Sequence, residues 1–223
     1  ASCAESDICF LQCEKFYPNG IRKPFGCEIA SHDMEGLSAE ESLEFLSHLG
    51  KFPDAACTKL YKRSFLERNE LSFPEDGRFS EDLGFAIDCL LLAGSFAAID
   101  GLVYEYRQDR PGSITSRPSG KHFYDLMKFV NESVDKLTDP SRNPKNSRCE
   151  SCLSFVAYEL SIMTWMLSLF KGEERRHAMR DLRRFLWVMP YGRGRKAAMT
   201  RSAINLFGVK LTSRLLAIYM RLR

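Results

Sequence analysis

Phe79-Ser80-Glu81-Asp82-Leu83-Gly84-Phe85 sets two adjacent carboxylates at the start of an apolar helical pattern. Ser80 is a residue type that caps helix starts, so Glu81 and Asp82 fall in the first turn, where the helix dipole favours ionised carboxylates. Phe85, Ile87, Leu90 and Leu91 continue the pattern, and Gly94 ends it. A carboxylate held beside such an apolar wall can act as a general base. The pair alone is more often an ordinary acidic helix start whose acids favour the dipole, so its meaning depends on its neighbours.

Upstream, Asp7 to Tyr17 reads as a strand running into the turn Pro18-Asn19-Gly20, with Ile21 to Phe25 returning as the second arm of a hairpin. Ser38-Ala39-Glu40-Glu41 is a capping box ahead of Leu43, Phe45, Leu46 and Leu49, apolar at helical spacing, with Gly50 as the stop. Lys59 to Arg68 reads as a short helix with Leu60, Phe65 and Leu66 partly buried and Lys62-Arg63 partly exposed, and a loop follows to Phe79. Downstream, Phe96 to Ile99 and Leu102 to Arg107 read as strands separated by a tight turn at Asp100-Gly101. From Lys121 the pattern is helical, over Phe123 to Leu137, Cys152 to Phe170, Glu173 to Val188 and Ala197 to Met220. The expected division is an α/β region over 1–117 and an α-helical region over 118–223.

Five motifs occur in order: Thr58-Lys59-Leu60-Tyr61-Lys62-Arg63-Ser64-Phe65-Leu66, Phe73-Pro74-Glu75-Asp76, the Glu81-Asp82 pair, Val103-Tyr104-Glu105-Tyr106-Arg107, and Arg110-Pro111-Gly112-Ser113-Ile114-Thr115. Together they resemble the acceptor-side half of family-2 glycosyltransferases. The resemblance implies a mixed α/β region like the C-terminal half of a GT-A fold, followed by a helical tail. It implies an inverting transfer of a sugar from a nucleotide sugar to a glycan or lipid-linked acceptor, of the kind used to build cell-surface polysaccharides. Asp82 is then the catalytic base with Glu81 beside it, and Lys59, Arg107 and Ser113 line the substrate or diphosphate side. In the intact enzyme the resemblance also implies a divalent metal, Mg or Mn, held by an Asp-x-Asp motif. No two aspartates here lie two positions apart. The opening Glu5-Ser6-Asp7-Ile8-Cys9-Phe10 resembles a strand from the middle of the family's fold, so the chain reads as an excised or naturally truncated C-terminal portion. Alone, it is expected to hold no metal and to lack transferase activity. The alternative is a non-catalytic remnant that acts as a membrane- or partner-binding module.

Composition fits either account. The chain has 223 residues, 44% of them hydrophobic, enough for a substantial core. Net charge is +3, yet residues 171–223 hold 14 Lys and Arg against 3 Asp and Glu. That basic tail suits an anionic membrane surface, or is a solvated helix face, and no nucleic-acid partner is expected. In the last helix Ile204, Phe207, Leu211, Leu215 and Ile218 form an apolar stripe apart from Lys210, Arg214 and Arg221. No run is expected to reach the length that spans a bilayer; Leu160 to Phe170 reads as a core helix. Eight cysteines in no regular framework read as reduced thiols of a cytoplasmic protein, peripheral at the inner face of the membrane. Cys149-Glu150-Ser151-Cys152 lacks the second ligand pair that zinc needs.

Overall fold

The computed structural model describes residues 3–75, 81–109, 118–139 and 147–222. The chain divides into two compact units, one of Ala1–Leu46 with Pro53–Ser116 and one of Ser47–Phe52 with Arg117–Arg223.

The first unit is built on strand β1 (Ile8–Phe16). Strand β2 (Arg22–Phe25) returns antiparallel to its second half, pairing Cys13 with Phe25 and Phe16 with Arg22. Strand β3 (Lys59–Tyr61) is antiparallel to its first half, pairing Ile8 with Tyr61 and Phe10 with Lys59. Strand β4 (Phe96–Arg107) runs parallel along the whole of β1. Helix α1 (Ala39–His48) starts at the expected capping box: the Ser38 N–H donates to Glu41 Oε2 at 2.8 Å, and the Glu41 N–H donates back to Ser38 Oγ at 3.2 Å. Helices α2 (Arg63–Arg68) and α3 (Glu81–Leu92) complete the unit. Its core is Ile8, Phe10, Leu43, Phe65, Ile87, Leu90 and Phe96, all almost fully buried.

Two readings of this unit are corrected. Lys59 to Tyr61 form a strand, not the first turn of a helix. The open edge of β1 takes them into the sheet, and the Lys62 N–H extends the ladder to the Asp7 carbonyl at 2.9 Å, so the helix begins only at Arg63. Leu60 is therefore exposed. Asp100-Gly101 is not a chain-reversing turn either. Residues on both sides of it stay paired with β1, and the extra residues bulge out between Ile99 and Leu102, with Gly101 at φ 95°. The Asp100 carboxylate accepts the Ser31 N–H at 2.8 Å and the Ser31 hydroxyl at 2.5 Å, so the bulge is tied to the 3-10 turn Ser31–Asp33.

The second unit is helical: α4 (Gly120–Thr138), α5 (Ser147–Met166), α6 (Gly172–Arg183) and α7 (Arg195–Leu222). Helix α5 is buried on nearly all sides and packs against α4 and α7. Phe52 stacks on Phe129 and Phe155, with centroids 6.1 and 5.1 Å away. After α6 the chain forms a 3-10 segment, Leu186–Tyr191, instead of continuing the helix to Val188; Pro190 lies inside it.

Among the described residues, two helices, Ser147–Leu169 and Arg195–Leu222, are long and apolar enough to cross a membrane, which corrects the expectation of none. Serines and threonines in the first masked its length. Ser161 and Thr164 donate to the Ala157 and Leu160 carbonyls of their own helix, at 3.0 and 2.8 Å, and so add little polarity. That segment is mostly buried within the unit, whereas the second is little buried. Helix α7 is also kinked at Gly208 (φ 69°, ψ 164°). Beyond the kink Val209, Thr212 and Ser213 face inward, while Leu211, Leu215 and Ile218 are 44%, 44% and 54% exposed. Arg175 Nη2 secures the inward side by donating to Ser213 Oγ at 2.7 Å. The cysteines need a correction as well: Cys3 and Cys9 form a disulfide, and the other six form none.

Candidate functional site

Helix α3 presents Glu81 and Asp82 in its first turn. Ser80, the expected cap, and Ser113 lie outside the described residues. Leu83, Phe85 and Ala86 are buried beneath the acidic turn, so the two carboxylates stand where an apolar helix face meets solvent. Phe73, itself exposed, stacks on Phe85 at 4.2 Å, and Tyr61 meets the edge of the same ring at 5.2 Å. These rings are the small apolar wall beside the acids.

Asp82 is partly buried and accepts the backbone N–H of Ala56. Burial raises its carboxyl above the ordinary carboxylate value, and nearby Asp54 adds to the rise; the Ala56 N–H and the Lys59 ammonium oppose it. A carboxylate in that state is a stronger base than a solvated one, while still accepting one directed hydrogen bond. Glu81 Oε2 is buried without a hydrogen-bond partner among the described residues. An unsatisfied carboxylate oxygen next to an elevated one is an arrangement able to receive a hydroxyl or a cation.

Lys59 lies beneath this turn, not on an open face. It is 5% exposed, and its Nζ donates to the Pro53 and Ala55 carbonyls, each at 2.8 Å. Burial lowers its pKa, against the pull of Asp54, Cys27 and Asp82. Arg107 ends β4 in register with Phe16, on the face shared by Glu14 and Glu105; Tyr104 and Tyr106 take the other face with Cys13 and Lys15. Tyr104 is hydrogen-bonded to Cys57, whose thiol is raised by burial first and by Asp82 second. The structure therefore gathers Asp82, Glu81 and Lys59, and adds Asp54 and Cys57, which the sequence reading did not single out. Arg107 stands at the end of β4, paired with Phe16, six residues along β1 from the Phe10 that pairs with Lys59. Pro53-Asp54, a pair of residue types common in turns and loops, is the local signal for Asp54.

Among the described residues, no three or more His, Cys, Asp or Glu side chains come together to hold a metal ion. The ligands that a Mg or Mn ion would need are not assembled by these residues.

No family model matches the chain, and no curated protein sequence matches it. Its fold is that of part of a GT-A glycosyltransferase, a mixed α/β region followed by helices. Three similar solved structures are of S. aureus TarS, residues 1–349. In complex with UDP-GlcNAc, that protein aligns at 16% identity with a TM-score of 0.60 over 98% of this chain. Without ligand the values are 14% and 0.56, and with UDP 15% and 0.54, again over 98% of this chain. The likeness is one of fold. The chain spans 60% of the length of the first of these structures and 59% of the other two.

Proposed function

We propose that the chain is the acceptor-side part of an inverting glycosyltransferase that moves a sugar from a nucleotide sugar to a glycan or lipid-linked acceptor in cell-surface polysaccharide synthesis. Asp82 takes the acceptor hydroxyl proton as the oxygen attacks the anomeric carbon, and Glu81 orients that hydroxyl. The observation that carries this reading is the partly buried Asp82 carboxylate at the start of α3, raised by burial and aimed by a single backbone N–H. The TarS structures with UDP-GlcNAc and UDP support a nucleotide sugar as donor. Arg107 and Ser113 contact substrate, and a divalent metal enters only in the intact enzyme, where residues outside this chain hold it. This chain alone is inactive and binds nucleotide sugars weakly.

Turnover by a longer, active form tests the base. Asp82→Asn should lower kcat about a hundredfold or more with donor binding retained, the range of general-base catalysis. A near-normal rate with the same acceptor overturns the assignment. Calorimetry of the present chain with uridine nucleotide sugars and manganese tests its inactivity; metal-dependent micromolar binding would contradict it.

A second reading is favoured by the exposed stripe of α7. Leu211, Leu215, Ile218 and Leu222 stand out from the unit with Lys210, Arg214 and Arg221 on the same helix. In this reading the helix lies on an anionic membrane surface at the cytoplasmic side, inserting apolar side chains between headgroups that its cations attract. Catalytic part and non-catalytic module both use it.

A further inference from the structure

Lys59 is a lysine where the fold could have kept an apolar side chain. Its ammonium is buried, a costly placement unless every proton finds a partner. The partners come from one short segment. Nζ donates to the Pro53 carbonyl at 2.8 Å, to the Ala55 carbonyl at 2.8 Å and to Thr58 Oγ1 at 3.4 Å. The Ala55 carbonyl also accepts the Thr58 hydroxyl at 2.7 Å and the Thr58 N–H at 3.2 Å, which closes the 3-10 turn Ala56–Thr58. Thr58 is hemmed in by Gly26, where a Cβ would come within 3.1 Å of its methyl group. The N–H of Ala56, at the head of that turn, is the one that donates to Asp82. Lysine, turn and catalytic carboxylate thus form one chain of contacts, with Asp54 the strongest of the negative groups acting on the ammonium.

We propose that Lys59 is a positioning residue for Asp82: by gathering the Pro53 and Ala55 carbonyls on its buried ammonium, it fixes the 53–58 turn so that the Ala56 N–H stays on the Asp82 carboxylate. This rests on Asp82 being the base, and it gives Lys59 a role away from the diphosphate. Without the ammonium, two buried carbonyls lose their donors and the turn relaxes toward water. Asp82 then loses its directed N–H along with the nearby cation, leaving Asp54 and Cys57 as the charged or ionisable neighbours named by its surroundings.

The test uses the whole 223-residue chain. Lys59→Met keeps the length and removes the donors. Two NMR readouts follow: hydrogen exchange of the Ala56 amide, and the pH titration of the Asp82 side-chain carboxyl carbon. In the variant, Ala56 exchange should accelerate about tenfold or more, the loss of one charge-assisted hydrogen bond, and the Asp82 midpoint should rise. If the midpoint moves while Ala56 exchange is unchanged, Lys59 acts through its charge alone and the proposal is overturned. If neither moves in a folded variant, it is overturned as well. Should Lys59→Met fail to fold, Lys59→Gln, which keeps two N–H donors on a shorter neutral side chain, is judged by the same readouts; unchanged Ala56 exchange and an unchanged midpoint there refute the proposal. These measurements need no turnover. A normal rate for Asp82→Asn would remove the base assignment while the Ala56 result still decides whether Lys59 holds the turn.

Discussion

Asp82→Asn should cost activity without costing stability at neutral pH, and the two effects have separate structural origins. In the native protein burial is the largest influence on the Asp82 carboxyl and raises its pKa from 3.8. A carboxylic acid whose folded pKa exceeds its unfolded one binds protons more tightly when folded. Relative to a neutral side chain, its contribution is therefore nil below the unfolded pKa, grows unfavourable as pH rises toward the folded value, and is fully unfavourable above both. Asparagine removes that term. It also turns a charge-assisted bond from the Ala56 N–H into a neutral one, a loss of about 1 kcal/mol. Because Asp82 is only partly buried, solvent damps both effects. Burial outweighs the Ala56 bond in the native protein, so the net change at pH 7 to 8 should be zero or a small gain. Urea unfolding at pH values from 4 to 8 measures this directly. The wild type should lose more stability than Asp82→Asn as pH rises from about 4 through the folded pKa, after which the two curves should run parallel. A variant less stable than wild type by more than about 1 kcal/mol at pH 7 would refute the reasoning. Asp82 would then be a helix-start carboxylate favoured by the dipole, with no elevated basicity to offer.

Phe52→Ala should destabilise the helical unit by about 3–5 kcal/mol, since it removes a buried ring stacked on both Phe129 and Phe155; a loss below about 1 kcal/mol on chemical denaturation would mean that the ring is not packed there. Gly194→Ala should destabilise by about 1–3 kcal/mol, because the added Cβ would collide with the Gly50 backbone. Denaturation midpoints for Gly194→Ala equal to wild type would rule out that close approach. Leu215→Ser with Ile218→Ser should reduce co-sedimentation with anionic vesicles at low salt and leave the thermal midpoint unchanged, as both side chains are exposed. If the chain stays in the supernatant with such vesicles before any substitution, the membrane reading of α7 fails; if the double variant lowers the midpoint, the stripe is covered by protein instead.

What could be read from the sequence is what local geometry decides. The Ser38 to Glu41 box and the acids at the start of α3 involve residues a few positions apart, and both occur where the residue types placed them. Lys59 fails that test. In the run Thr58-Lys59-Leu60-Tyr61-Lys62-Arg63 it is one of three closely spaced cations, and nothing local distinguishes the buried one from the two beside the helix start. Its fate depends on pairing with Phe10, nearly fifty residues earlier, which turns Leu60 outward and Lys59 inward. Glycine-containing segments divide in the same way. Gly50 ends a helix, as its position after an apolar run suggests, with φ 72°. Asp100-Gly101 has the composition of a hairpin turn, but the strand it interrupts is held parallel to β1 on both sides, so the same conformational freedom at Gly101 produces a bulge. Gly208 gives a third outcome, a kink within α7, with Thr212 and Ser213 buried beyond it and Phe207, Leu211 and Leu215 exposed on either side. The candidate site shows both halves of the pattern. The position of the proposed base is local and legible; the turn whose Ala56 N–H meets Asp82, and the buried Lys59 ammonium bonded to that turn, exist only once β1 and β3 have paired.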